Sequence, residues 1–328
     1  MPVPHPAQRS SWRPKRLAAT LTAALLLAAG CGTQDPPADD DRLDEVEITV
    51  GWETVQDTTD RVGTIEGLSG PESVRYDPGQ DVWFVSNFNG GGNERNADGF
   101  ITRAAADGTI ETLRFMVGTD EAPLHAPRGM YIVADILWVA DVDGAHGFHR
   151  ETGEHLIFID FSALEPGFLN DVAADDSGEV YVTDSGQPRL YRILGESESP
   201  QVEIAVEDPG LGPANGITWD AANGRFIFAP WGEGETTFRA WTPGATELEE
   251  VGVSPDGGRF DGIEVVGDRI LVASQVDESL HLVEMGTGRL LIHTAGRPAD
   301  IGIDTRRYRV AVPYIALDRV DLWQLPAW

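Results

Sequence analysis

A short hairpin recurs six times along this chain, and any fold must place the six copies in equivalent surroundings. The clearest copy is 167–184, GFLNDVAADDSGEVYVTD. Asn170 and Asp171 precede a short apolar run, residues 175–178 (DDSG) make a tight turn, and Val180 to Thr183 form a second strand of β-branched and aromatic residues. The other copies are GPESVRYDPGQDVWFVSN (70–87), APRGMYIVADILWVAD (126–141), PANGITWDAANGRFIFA (213–229), RFDGIEVVGDRILVAS (259–274) and PADIGIDTRRYRVAVP (298–313). Aligned on the residue at the mouth of the first strand, the anchors are Glu72, Arg128, Asn170, Asn215, Asp261 and Ala299, spaced by 56, 42, 45, 46 and 38 residues. A period of roughly 40–45 residues with room for four short strands is the signature of a propeller blade. The spacing predicts an all-β fold, a six-bladed β-propeller with four antiparallel strands per blade.

Outer strands are expected at 61–67, 154–159, 202–206, 246–253 and 288–294. The last copy runs out at 318–325 after three strands. The stretch 61–67 is therefore expected to supply its fourth strand, which closes the ring and removes its open edges. The apolar-alternating stretch 47–55 reads as an extra strand outside the ring.

The first thirty residues do not fit this pattern. Arg9, Arg13, Lys15 and Arg16 form a basic segment, and the apolar run 17–30 is shorter than the roughly 20 residues a membrane-spanning helix needs. Cys31, the sole cysteine, follows directly. Residues 27–31, LAAGC, resemble the bacterial lipobox, which implies a diacylated Cys31 as the mature N-terminus and a lipid-anchored protein of the cell envelope, outer membrane or periplasmic face. An ordinary signal peptide with an incidental cysteine also fits. The expected division is a signal peptide at 1–30, an acidic flexible tether at 31–45 and the propeller at 46–328.

Composition excludes several chemistries. One cysteine allows no intrachain disulfide, and no lysine follows Lys15, so Schiff-base and lysine-base mechanisms are closed to the mature chain. The formal charge is −30, and residues 1–30 hold four basic and no acidic side chains. Such a surface repels nucleic acid, and the membrane is reached through the lipid anchor alone. The expected partner is a small-molecule substrate, and the expected state is a monomer.

The loop into each first strand and the loop out of each second strand lie at the same end of a propeller. The Asn- and Gly-rich insertion 88–99 should therefore hang over the channel mouth, together with Asp141, Asp184, Trp231 and Gln275. His146 and His149 are expected in a mouth loop, 142–150. Arg128, His146, Asp184 and Trp231 are the candidate substrate-binding residues, although the histidines equally fit exposed loop positions and Trp231 equally fits blade packing.

Glu72, Asn170, Asn215 and Asp261 come from four blades at equivalent positions, so their side chains should converge on the axis. Two carboxylates and two amides offer only oxygen, which suits a hard cation with 6–8 oxygen ligands such as Ca²⁺, other divalent ions being open. The same residue types also cap turns.

The motifs carrying these residues, PESV, LNDVAAD, ANGITWD and FDGIEVV, resemble those of the senescence marker protein, gluconolactonase and luciferin-regenerating enzyme family of calcium-dependent propellers. The resemblance covers residues 60–328. It implies that Glu72, Asn170, Asn215 and Asp261 bind the metal and that Asp261 acts as base or nucleophile. It departs at Phe168, where the lactonases of this family carry an arginine. Arg128 is the candidate replacement for that charge. The implied activity is Ca²⁺-dependent hydrolysis of a small lactone, ester or phosphoester. The alternative is a non-catalytic, lipid-anchored binding propeller with a structural ion.

Overall fold

The computed structural model describes residues 59–195, 201–232, 237–251, 255–284 and 286–326. The expected signal peptide, the tether, Cys31 and the stretch 47–55 lie outside these.

Every described strand belongs to one of six four-stranded antiparallel sheets. Blade one is β2 (Pro71–Asp77), β3 (Val82–Asn87), β4 (Phe100–Ala105) and β5 (Ile110–Val117). Blade two is β6 (Met130–Val133), β7 (Ile136–Ala140), β8 (Gly144–His149) and β9 (His155–Asp160). Blade three is β10 (Leu169–Ala174), β11 (Val180–Asp184), β12 (Arg189–Leu194) and β13 (Gln201–Glu207). Blade four is β14 (Ala214–Asp220), β15 (Arg225–Pro230), β16 (Arg239–Trp241) and the two-residue β17 (Glu249–Glu250). Blade five is β18 (Phe260–Val266), β19 (Arg269–Ser274), β20 (Ser279–Glu284) and β21 (Thr287–His293). Blade six is β22 (Gly302–Asp304), β23 (Arg309–Tyr314), β24 (Arg319–Gln324) and, from the other end of the chain, β1 (Asp60–Glu66). The expected closure is present: β1 pairs antiparallel with β24 from Asp60↔Gln324 to Glu66↔Arg319.

A blade cannot bury both of its faces alone, and the apolar residues form six clusters, one between each pair of neighbours. Trp138, Ile159 and Phe161 of blade two meet Val172, Val182 and Tyr191 of blade three. Val320 and Leu322 of blade six, with Ile65, meet Val74, Trp83 and Val85 of blade one. The remaining four clusters join blades one and two, three and four, four and five, and five and six.

The six inner strands touch in sequence round the axis. Gly129 N–H donates to the Asn170 carbonyl over 3.0 Å, and Ile217 N–H donates to Asp171 Oδ2 over 2.9 Å. A Cβ on Gly216 would stand 2.2 Å from the Asp261 carbonyl oxygen, and one on Gly262 would stand 2.2 Å from Ile301 N, so only glycine permits these approaches. Asp300 N–H donates to the Glu72 carbonyl over 2.9 Å, and Arg75 Nε donates to the Met130 carbonyl over 2.8 Å, which completes the circle.

Candidate metal centre

The four expected oxygen ligands share one backbone device. In β2, β10, β14 and β18 the pairing register slips between Pro71 and Val74, Leu169 and Val172, Ala214 and Ile217, and Phe260 and Ile263. Each slip is a β-bulge holding the anchor and the residue after it. A bulge re-aims a side chain that a regular strand would send to one face of the sheet. Blades two and six, anchored on Arg128 and Ala299, have no such slip in β6 or β22. In blades one and three the backbone freed by the bulge is satisfied by a hydroxyl of the second strand. Ser73 N–H donates to Ser86 Oγ (2.9 Å) and Asp171 N–H to Thr183 Oγ1 (3.0 Å).

All four anchors are buried, with Glu72 4 %, Asn170 5 %, Asn215 3 % and Asp261 4 % exposed. Each also keeps one buried oxygen with no hydrogen-bond partner in the chain: Glu72 Oε2, Asn170 Oδ1, Asn215 Oδ1 and Asp261 Oδ1. Leaving a buried polar atom unpaired costs about 1–3 kcal/mol, so four at equivalent places call for a shared partner. Second-strand exits set the orientation. Asn170 Nδ2 donates to Ser185 Oγ (3.0 Å), which leaves its Oδ1 free. Gln275 Nε2 donates to Asp261 Oδ2 (2.6 Å), which leaves Oδ1 free.

The charge around these atoms is unbalanced. Burial, then the nearby Asp261 and Asp300, push the Glu72 carboxyl well above its usual range, against the opposing pull of Arg128. Burial and Asp300 do the same to Asp261, with Gln275 opposing. Beneath them, burial lifts Asp300 to about 7 while Arg75 and the Ser73 hydroxyl, 2.5 Å away, hold it down. Asp171 is raised by burial and by Asp300. Further along the channel, the part-buried Arg75 and Glu264 pair at 2.6 Å. Four buried carboxylates, Glu72, Asp171, Asp261 and Asp300, thus share this region with one buried arginine, Arg128, and the part-buried Arg75.

Among the described residues, no group of three or more His, Cys, Asp or Glu side chains could hold a metal. An ion here would have to draw on the two asparagine amides as well as the two carboxylates. The unpaired oxygens and the negative excess fit a hard divalent cation and fit a soft one poorly.

The guanidinium carbon of Arg128 stands 4.0 Å from the centre of the Phe168 ring, which puts a positive group from blade two beside position 168. Nη1 donates to the Leu169 carbonyl (2.9 Å), and Nη2 donates to Asn93 Oδ1 (2.9 Å) and to the Gly92 carbonyl. The insertion 88–99 therefore does reach the mouth. Burial lowers the Arg128 pKa, which Glu72 and Asp141 partly offset.

Two expected substrate contacts are placed elsewhere. His146 and His149 are not in a loop: both belong to β8. His146 is fully buried, with Nδ1 3.0 Å from His155 Nε2 and its ring against Phe148 and Phe158. The expected loop 142–150 is instead mostly strand, with Gly147 opposite Trp138 inside the sheet. Asp184 does sit at the exit of β11, but its carboxylate accepts from the N–H groups of Gly167, Phe168, Gly186 and Gln187 and from the Tyr191 hydroxyl. Asp141 does the same for His125 and Ala126. These acids staple the loop entering the inner strand. Trp231 is half-buried, its backbone N–H donating to the Pro213 carbonyl (3.0 Å).

No family model matches the chain, and no curated protein matches it. Solved structures do. A gluconolactonase from Xanthomonas campestris superposes with a TM-score of 0.62 at 16 % identity, over 81 % of this chain and 91 % of that one. A streptogramin B lyase superposes with a TM-score of 0.57 at 12 % identity, over 81 % and 97 %. Virginiamycin B lyase from Staphylococcus aureus gives 0.57 at 11 %, over 81 % and 99 %. At these identities the likeness establishes the propeller fold and leaves the chemistry to the site itself.

Proposed function

We propose that this protein is a Ca²⁺-dependent hydrolase of a small lactone, ester or phosphoester, with the ion held by Glu72, Asn170, Asn215 and Asp261. The observation that carries the reading is the set of four buried, unpartnered oxygens, each at a bulge in a different blade. Bound there, the ion would supply a Lewis acid for a scissile carbonyl or phosphoryl oxygen. Asp261, with Oδ2 fixed by Gln275, presents Oδ1 either to take a proton from water or to attack directly. Arg128, braced on Phe168, offers donors to the substrate's polar end, and Trp231 forms part of the wall. The gluconolactonase neighbour is compatible with this chemistry.

The test is calorimetric titration with calcium, followed by turnover on a panel of lactones, carboxylic esters and organophosphates. Wild type should bind calcium and hydrolyse at least one class. Asp261→Asn keeps a ligand oxygen but loses a charge and the base, so it should bind calcium more weakly and lose turnover. Asn215→Leu removes a ligand only, so excess calcium should recover part of its activity. No binding of any divalent ion at millimolar concentration would sink the reading. Binding without turnover on every class would make the protein a non-catalytic binding propeller with a structural ion.

We also propose that Cys31 is lipidated and holds the propeller at the outside of a bacterial membrane. In cells, Cys31→Ser should move the protein from the detergent phase to the aqueous phase or stall its processing. Unchanged partitioning would exclude the anchor.

A further inference from the structure

We infer that the mouth holds a separate anion-binding cleft between blades five and six, built by Arg259 and Arg297, which takes the carboxylate or phosphate group of a small acidic ligand. The cleft has a volume of about 280 Å³ and is lined by Arg259, Gln275, Val276, Glu278 and Arg297. Arg259 and Arg297 stand two residues before the anchors Asp261 and Ala299, so the repeat places both at the channel mouth. Gln275, on the same wall, donates to Asp261 Oδ2 over 2.6 Å. An anion in the cleft is thus one side chain away from the proposed reactive carboxylate.

Two observations bear on these exposed arginines, the first on both and the second on Arg259 alone. Acids outnumber bases 54 to 24 in this chain, and 12 of the 19 described arginines form an ion pair with one. Arg150 holds Asp77 at 2.7 Å, Arg225 holds Glu249 at 2.9 Å, and Arg307 holds both Asp81 and Asp304. Among the described residues, no carboxylate lies within the 4.0 Å that defines an ion pair for either Arg259 or Arg297, although Glu278 lines the same cleft. The backbone gives the second. Arg259 sits at φ 46°, in the left-handed region. The equivalent residue of blade one is Gly70, at φ 60°. The two backbones do the same work: Phe88 N–H donates to the Gly70 carbonyl over 3.0 Å and Gln275 N–H to the Arg259 carbonyl over 3.3 Å. Glycine adopts this conformation freely, whereas a residue with a Cβ is strained there. Blade five keeps an arginine where glycine would be cheaper, and strain of this kind gathers where a side chain has a job. Two guanidinium groups in one cleft suit the forked acceptors of a carboxylate or phosphate.

The direction of the ligand, with its anion in the cleft and its reactive bond at Asp261, rests on the hydrolase reading above. Anion binding itself does not. The experiment is calorimetric titration with inorganic phosphate, and separately with acetate, in calcium-free buffer at low salt. Calcium titrations of the same proteins are run in phosphate-free buffer. Wild type should bind at least one anion at millimolar concentration, more weakly as salt rises. Arg259→Gln and Arg297→Gln should each weaken binding about tenfold, the loss expected for a charge-assisted hydrogen bond, with calcium affinity unchanged. Arg259→Gly should show the same loss with an equal or higher melting temperature, which separates a binding role from a structural one. Arg289→Gln, an exposed arginine on the outer strand of the same blade, should leave anion binding unchanged. No binding of either anion by wild type at about 20 mM, or variants that bind as wild type does, overturns the inference. A protein that binds calcium but neither anion loses the cleft and keeps the metal centre, and one that binds an anion but no divalent ion does the reverse.

Discussion

Stripped of divalent ions, the protein should be most stable in mild acid and should lose stability as the pH rises through neutrality. Asp300 carries the sign: its carboxyl is raised from 3.8 in the unfolded chain to about 7 in the fold. A group raised on folding contributes stability that is fully present below the unfolded value and is lost as the pH climbs through the folded one. For Asp300 alone the loss between pH 4 and 8 is on the order of 4 kcal/mol. Glu72 and Asp261, raised by burial and by neighbouring acids, change in the same direction. Calcium should oppose the trend, because it favours the ionised form of the carboxylates it touches. At a free concentration 100 times its dissociation constant it adds about 2.7 kcal/mol. Thermal melts between pH 4 and 8, with chelator and with calcium, give the comparison. A metal-free protein equally stable at pH 5 and pH 8 would contradict the electrostatics assigned to the channel.

Removing β1 should open the ring. This strand pairs with β24 over its whole length and puts the fully buried Ile65 against Val320 and Leu322. A chain starting at residue 68 would uncover a sheet edge together with those side chains, and burying one such aliphatic side chain is worth about 1.5–3 kcal/mol. Aggregation, or a melting temperature lower by more than about 10 °C, is expected. Deleting 31–45 instead should leave the melting temperature within a few degrees. A soluble 68–328 fragment that melts as sharply as the full chain would show that the closing strand contributes little.

The repeat carried most of the architecture. Strand alternation and six turn signals located the inner and second strands, and the unfinished sixth copy pointed to β1 as its missing member. Outer strands were harder to place. Blade four's is Glu249 and Glu250 where 246–253 was expected, the described residues 246–248 and 251 lying outside any strand. The anchors were legible because they recur, but the bulges that aim them were not, since a register slip depends on the partner strand. Asp171 and Asp300, one position past their anchors, were not among the expected site residues. Their signal was present in the small or acidic residues at that position, Ser73, Gly129, Asp171, Gly216, Gly262 and Asp300. Asp184 misled because a carboxylate at a mouth reads the same whether it holds a substrate or ties down its own loop.

The closing strand also sets a timetable. Arg61 and its partner Asp321 are 260 positions apart. During synthesis at about 5–20 residues per second, β1 emerges first and waits on the order of 13–50 s before β24 exists. Loops of this span close late, after the contacts nearer in sequence have formed. For that interval the first strand of the propeller is an unpaired edge. Its composition suits the wait: Asp60, Arg61 and Glu66 leave it charged and largely exposed, with Ile65 alone fully buried in the finished ring. A more apolar β1 would bind β24 no sooner and would have far longer to find a wrong partner.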